Sequence, residues 1–325
     1  MRPFNGLPVA GVELKLTNAC MLRCSFCVND DGPHKHGDID APAAIRALQE
    51  LNDAPSNLGN LGFLSFTGGE PLSRIHIIEQ IASVMPDTTT MGIATNGILL
   101  SDDTIERLQR ARINRITVSY DTTRPQDYVL VRKGANVQQH SKLTSMLKHI
   151  PMAGITLNLR VALGAANVNV LTDIYACALE SGADTLFVKP IVSSGRAAQN
   201  IDTVSLPPEK ILTAFKNLRT VYDATKTRIS VSCFSMAKAT GLPVNSCTNN
   251  QTLYLDINGS IFSCNYVTDS NHLLGDYRQQ GGMTCALRTR RERYAKLFGP
   301  RNDILGCPSS PYSVAQPQLK LSPIQ

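Results

Sequence analysis

From Gly11 to Ser235 short β-branched or apolar runs alternate with stretches whose apolar residues recur at three- and four-residue spacing. This alternation constrains the fold more than any other feature. A strand whose successor follows only after a helix must pair with it in parallel, and the helices then cover the faces of the sheet. Strands are predicted at Gly11–Thr17, Leu61–Thr67, Met91–Thr95, Arg115–Tyr120, Thr156–Leu163, Thr185–Ile191 and Thr227–Cys233. Helical periodicity covers Ala43–Leu51, Ile75–Met85, Asp103–Ala111, His140–Ile150, Val168–Leu179 and Lys210–Tyr222. Pro42, Pro207 and Pro208 sit where a first helical turn tolerates a missing N–H. The fold class expected is α/β, a partial (β/α)6-type TIM barrel.

After Gly241 the pattern changes. Thr252–Leu255 and Ser260–Phe262 read as a hairpin about Asp256-Ile257-Asn258-Gly259, whose Asn-Gly step favours a positive-φ turn. The chain therefore divides into a barrel at residues 1–241, a smaller C-terminal unit at 242–310 and a loose tail at 311–325. A length of 325 residues with 42% apolar content supports two such cores and excludes a disordered or fibrous chain.

A net charge of +6 is too small for a nucleic-acid binder, so no nucleic-acid partner is expected. Nine cysteines are an odd number and too few for a disulfide scaffold, which points to metal or redox use in a reducing compartment. The first residues lack a signal-peptide pattern, and no apolar run is long enough to span a bilayer. A cytoplasmic protein with no membrane partner is expected.

Cys20, Cys24 and Cys27 follow the first strand as Cys-x3-Cys-x2-Cys. Three soft thiolates on one short loop can each hold one iron of a cubane and leave the last iron without a protein ligand. Zinc is the alternative, with His34 or His36 closing the site. The position at a strand's C-terminal end favours chemistry, because barrel enzymes build their sites there.

The triplet, with aromatic Phe26 before its last cysteine, is followed by Thr67-Gly68-Gly69-Glu70-Pro71, Thr95-Asn96-Gly97, Val118-Ser119-Tyr120-Asp121, Arg132-Lys133-Gly134, Arg160-Val161-Ala162-Leu163 and Pro190-Ile191-Val192-Ser193-Ser194-Gly195-Arg196-Ala197. In this order, over nearly the whole chain, the set resembles the radical S-adenosylmethionine (radical SAM) superfamily. The resemblance implies a [4Fe–4S] cluster whose open iron binds the amino and carboxylate groups of SAM. It also implies reductive cleavage of SAM to a 5′-deoxyadenosyl radical, and a flavodoxin- or ferredoxin-type electron donor. Gly68 and Gly69 allow close backbone approach, and Glu70 offers an acceptor to the SAM ammonium. Ser119 or Asp121 would hold ribose hydroxyls, Arg160 would pair with the methionyl carboxylate, and Val192 with the backbone near Phe26 would flank adenine. For Ser119 and Asp121 a turn or cap is the simpler alternative, and for Glu70 a helix N-terminal carboxylate.

Cys247-x11-Gly259-x4-Cys264 resembles the start of the auxiliary-cluster domains of such enzymes, in the shorter one-cluster (twitch) form of the SPASM type. Cys307 is the third expected ligand of one auxiliary iron–sulfur cluster. Cys285 is either a fourth ligand or a buried apolar residue, and structural zinc remains an alternative for the group. Cys177 lies on an apolar helical stripe and is expected in the core. Cys233 ends the run Arg-Ile-Ser-Val-Ser-Cys and is either packed or the donor that returns a hydrogen atom to a substrate radical.

Arg288, Arg290, Arg291, Arg293 and Lys296 crowd one helix, read as a solvated face or a site for an acidic substrate. His34, Lys35 and His36 are loop residues or substrate contacts. A barrel beginning near residue 11 leaves no room for an N-terminal peptide-recognition domain, which favours a small sugar, aminocyclitol or nucleoside-like intermediate undergoing dehydrogenation or epimerisation. A short peptide substrate and a non-catalytic iron–sulfur or zinc protein are the alternatives.

Overall fold

Val9–Lys15 (β1) is buried at all but Ala10 and Glu13 and pairs in parallel with Gly59–Thr67 (β2), as its β-branched and apolar content predicts. The computed structural model describes residues 8–225, 230–232 and 251–298. Thr90–Thr95 (β3), Ile113–Ser119 (β4), Thr156–Leu163 (β5), Thr185–Pro190 (β6) and Ser230–Ser232 (β7) continue the sheet in sequence order, every pairing parallel. Leu14, Phe66, Ile93, Val118, Leu159 and Val188 are fully or almost fully buried along it. Burial on both faces is what a parallel sheet covered by crossover helices requires.

Six predicted helical stretches recur as Ala41–Asn52 (α1), Ile75–Ala82 (α2), Asp102–Arg110 (α3), Val137–Met146 (α5), Leu171–Glu180 (α7) and Pro208–Thr225 (α10). The stretch predicted as one helix over His140–Ile150 divides, because α5 stops at Met146 and His149–Met152 (α6) makes a separate turn containing Pro151. Three short helices escaped the periodicity because each is near one or two turns long: Pro125–Val131 (α4), Gly195–Gln199 (α8) and Ile201–Val204 (α9).

The C-terminal hairpin does not stand apart from the barrel strands. Thr252–Leu255 (β8) pairs in parallel with β1, and Ser260–Phe262 (β9) and Leu273–Asp276 (β10) extend the sheet antiparallel beyond it. The ten strands run β10-β9-β8-β1-β2-β3-β4-β5-β6-β7 in an open sheet. The expected boundary near Leu242 and the tail at 311–325 lie outside the described residues. No helix among the described residues is long and apolar enough to cross a membrane.

Gly282–Phe298 (α11) carries the arginine-rich run, and the solvated-face expectation needs one correction. Arg288, Arg291 and Arg293 are exposed, whereas Arg290 is buried on the face that holds Met283, Ala286 and Leu287. Helical spacing explains it, since 283, 286, 287 and 290 share one stripe. The start of α11 is fixed from α1: the Glu50 carboxylate accepts the N–H groups of Gly281 at 3.0 Å, Met283 at 3.2 Å and Thr284 at 3.3 Å. Those are donors that a helix N-terminus otherwise leaves unsatisfied, and the negative charge suits the helix dipole. Glu50→Ala is expected to lower unfolding free energy by about 1–2 kcal/mol. Urea melts of the metal-free protein check this, and an unshifted midpoint would remove Glu50 from the account of how the C-terminal helix docks.

Candidate active site

The carboxyl ends of β1 to β6 open on one cavity of about 1080 Å³, its solvent-filled mouth included. Ligand sites of parallel sheets form at this end. The loop after β1 forms one wall, with Cys20, Cys24 and Cys27 all lining it. Cys24 is buried, and the other two thiols are half-buried.

Backbone bonds from neighbouring strand ends fix this loop. Gly69 N–H donates to Thr17 O at 2.7 Å and Glu70 N–H to Ala19 O at 2.9 Å. A Cβ on Gly69 would lie 2.2 Å from Ala19 O, so only glycine permits the approach. From the far side, Arg196 donates from its backbone to Cys27 O at 2.9 Å and from its guanidinium to Cys24 O at 2.8 Å and Asp31 O at 2.6 Å. Gly195 makes that contact possible: its φ is +53°, and a Cβ there would sit 2.3 Å from Val28 O.

Phe26, Gly68, Gly69, Ser119, Arg160 and Val192 line the cavity with the thiols. Ser119 and Arg160 are partners in the β4–β5 register, so both project from adjacent strand ends. Glu70 and Asp121 lie behind the wall instead. Glu70 is fully buried; one carboxylate oxygen accepts from Leu72 N–H at 3.0 Å and Thr95 Oγ1 at 2.6 Å, the other from Asn96 N–H at 2.8 Å. Burial pushes its carboxyl pKa up despite these bonds. Asp121, also fully buried, accepts from Arg132 Nε at 2.7 Å and Ala162 N–H at 2.8 Å. Both carboxylates join strand ends to one another, which sequence spacing does not distinguish from ligand binding.

Arg132, Asn96, Lys189 and Tyr266 are site residues to which the sequence assigned no role. Arg132 extends from Asp121 over the Phe26 ring, 5.5 Å from its centroid, and borders the cavity. The Asn96 side-chain amide reaches Cys20 Sγ at 3.7 Å and Met21 Sδ at 3.2 Å. Lys189 comes from the end of β6 and lies over the Tyr266 ring, which arrives from the segment after β9. The sequence carries a modest signal for them: Asn96 and Arg132 stand within Thr95-Asn96-Gly97 and Arg132-Lys133-Gly134, and Lys189 is a cation near the end of an apolar strand.

Two cysteines share a local device. Cys20 Sγ accepts the N–H of Leu22, and Cys264 Sγ the N–H of Tyr266, each at 3.4 Å and each two residues on. Such N–H···S bonds stabilise thiolate and tune clusters. Cys285 is exposed on α11, and Cys177 is half-buried, packed against the core. Cys233, Cys247 and Cys307 lie outside the described residues. His34 and Lys35 line a second pocket outside the main cavity.

The donor set fits an iron–sulfur cubane. Three soft thiols on one wall of the cavity are the donor set that three separate irons of such a cluster take. Cys20, Cys24 and Cys27 would hold the cluster, and the cavity beside them would hold SAM.

A family model described as the radical SAM superfamily matches residues 14–161. The chain is similar to a GTP 3′,8-cyclase of Peptoclostridium acidaminophilum, 28% identical over 182 residues, 55% of this chain and 54% of that protein. It is also similar to a GTP 3′,8-cyclase of Alkaliphilus oremlandii, 28% identical over 211 residues and 64% of each chain. The matched segment thus spans about half to just under two thirds of these relatives. Among solved structures, anSMEcpe with bound AdoMet superposes with TM-score 0.65 at 16% identity, over 88% of this chain and 82% of that one. Streptococcus suis SuiB bound to S-adenosylmethionine gives TM-score 0.63 at 14% identity, over 90% and 68%.

Burial pushes the Cys20 thiol up to about 12 and the Cys24 thiol up to about 11, the latter opposed by the Arg132 charge. Both are therefore protonated at neutral pH in the metal-free protein, and loading a metal must expel those protons. Alkylation of metal-free Cys24 by iodoacetamide is expected to rise with pH toward a midpoint near 11, and Arg132→Gln to move that midpoint further up. A Cys24 alkylation rate already at its high-pH plateau at pH 7 would contradict this electrostatic reading.

Proposed function

From the radical SAM family match at residues 14–161 we propose that the chain is a radical SAM enzyme that abstracts a hydrogen atom from an unactivated C–H bond of a small, anionic, nucleoside-like metabolite. The observation that carries this reading is one cavity lined at once by the three thiols, by Gly68, Gly69, Ser119, Arg160 and Val192, and by Lys189 and Tyr266. When bound, a reduced [4Fe–4S] cluster and SAM supply the 5′-deoxyadenosyl radical for that abstraction.

The protein's own groups orient and enclose. Arg160 presents a planar fork to the methionyl carboxylate, and Ser119 lies one strand away for a ribose hydroxyl. Val192 and the backbone near Phe26 would flank adenine. Lys189 supplies a cation to a phosphate or carboxylate, and Tyr266, whose ring it covers, holds that cation at the cavity wall. The anionic class is supported by that cation, and the nucleoside-like class by the relatives named GTP 3′,8-cyclase.

An auxiliary cluster is part of the proposal. The N–H···S bond at Cys264 supports it as a ligand, with Cys247 and Cys307 completing the set. Cys285, exposed on α11, is the fourth candidate. A neighbouring cluster at Cys264 would accept an electron in a dehydrogenation, whereas Cys233 would return hydrogen in an epimerisation.

Anaerobic reconstitution with SAM and dithionite is expected to yield 5′-deoxyadenosine, and Cys24→Ala to abolish it. Arg160→Ala should retain iron yet raise the SAM KM roughly 10- to 100-fold, the weight of a charge-assisted bond. Wild-type cleavage activity in the Cys24 variant would refute the function, and an unchanged KM in the Arg160 variant would refute the carboxylate contact.

A further inference from the structure

The loop that carries the three thiols has two sides with different chemistry. Leu22, Cys24, Phe26, Cys27 and Val28 line the main cavity, whereas Arg23, Ser25 and Gly32 line a second pocket on the other side. That outer pocket also contains His34, Lys35 and Lys133. Arg23, His34, Lys35 and Lys133 are all exposed. Arg23 N–H donates to Lys133 O at 2.7 Å, so the two cations come from separate segments yet are held at one place.

The acid count is low. Asp30 is the acidic residue lining this pocket, and Lys35 at 3.2 Å and Arg196 at 2.9 Å already neutralise it. Among the described residues no carboxylate pairs with Arg23 or Lys133. The outer pocket therefore presents uncompensated positive charge one peptide unit away from Cys24, on the side turned from the SAM cavity.

We propose that this basic face, centred on Arg23 and Lys133, is the docking surface for an acidic one-electron carrier protein. The inference rests on the function proposed above, because only a cluster at Cys20, Cys24 and Cys27 needs an electron there. In the step, one electron leaves the reduced carrier and enters the oxidised cluster, and no bond forms or breaks at the face. The position suits it on two grounds. Opposite charge steers the encounter and fixes orientation, and the thin wall of loop backbone keeps the carrier close to the thiolates without opening the cavity where a radical must be shielded from water.

The experiment compares two reductants on anaerobically reconstituted protein. Arg23→Glu/Lys133→Glu is expected to slow cluster reduction by reduced flavodoxin about tenfold or more at low ionic strength, with the difference shrinking as salt rises. Flavodoxin affinity, read by titration calorimetry on the oxidised protein, should fall in parallel. Dithionite, which needs no docking, should bleach the cluster and drive 5′-deoxyadenosine formation equally in both proteins. Lys133→Glu alone lies outside the cysteine loop and keeps the test valid if the double variant loads less iron. Equal flavodoxin rates and affinities in wild type and variants would overturn the docking face. Weaker binding of an acidic peptide or of RNA with flavodoxin unaffected would also overturn it. Failure of dithionite to drive cleavage in the wild type would instead strike at the proposed function.

Discussion

The site depends on how tightly the cysteine loop is meshed with the ends of neighbouring strands. A segment as long as Leu16–Asp40 has many backbone polar groups to satisfy and little regular structure of its own. It is held by Gly69 and Glu70 N–H groups on one flank and by the Arg196 guanidinium on the other. The two glycine approaches leave no room for a Cβ, so chain geometry rather than side-chain packing sets the position of the thiols. The GGE segment and the Gly195–Arg196 pair are thereby parts of one support.

Buried charge plays the complementary part. Asp121 with Arg132, and Lys15 with Asp31 at 3.0 Å, sit almost wholly out of water around the cavity. Such ions are tolerable only when paired, and removing one partner of a buried pair typically costs about 3–5 kcal/mol. Their value here is positional. Asp121 ties Arg132 to the end of β5 through Ala162, and Arg132 in turn sets the field at Cys24 and covers Phe26. A cavity built this way keeps its polarity fixed while the loops above it accept different ligands.

Much of the fold was legible because parallel strands and crossover helices carry opposite periodicities, and β5 over Thr156–Leu163 agrees with its prediction residue for residue. The short helices α4, α8 and α9 were not, since one or two turns carry too few apolar positions to show a period. At the site, the triplet, Gly68, Gly69, Ser119, Arg160 and Val192 were legible from motif order and strand-end position. Glu70 and Asp121 were placed at the right strand ends, yet their carboxylates turn into the wall, a choice fixed by tertiary donors at Thr95, Asn96, Ala162 and Arg132. Tyr266 was invisible because its place follows from β8 pairing with β1, a contact between residues far apart in sequence.

The central claim is that Cys20, Cys24 and Cys27 hold a [4Fe–4S] cluster with one iron open toward the cavity. Electron paramagnetic resonance of the reduced protein, with Cys247, Cys264, Cys285 and Cys307 replaced by alanine to silence any second cluster, tests it most directly. The account predicts a single cubane signal whose g values shift when SAM is added. A protein that binds zinc and no iron at this loop, or a cubane signal indifferent to SAM, would contradict it.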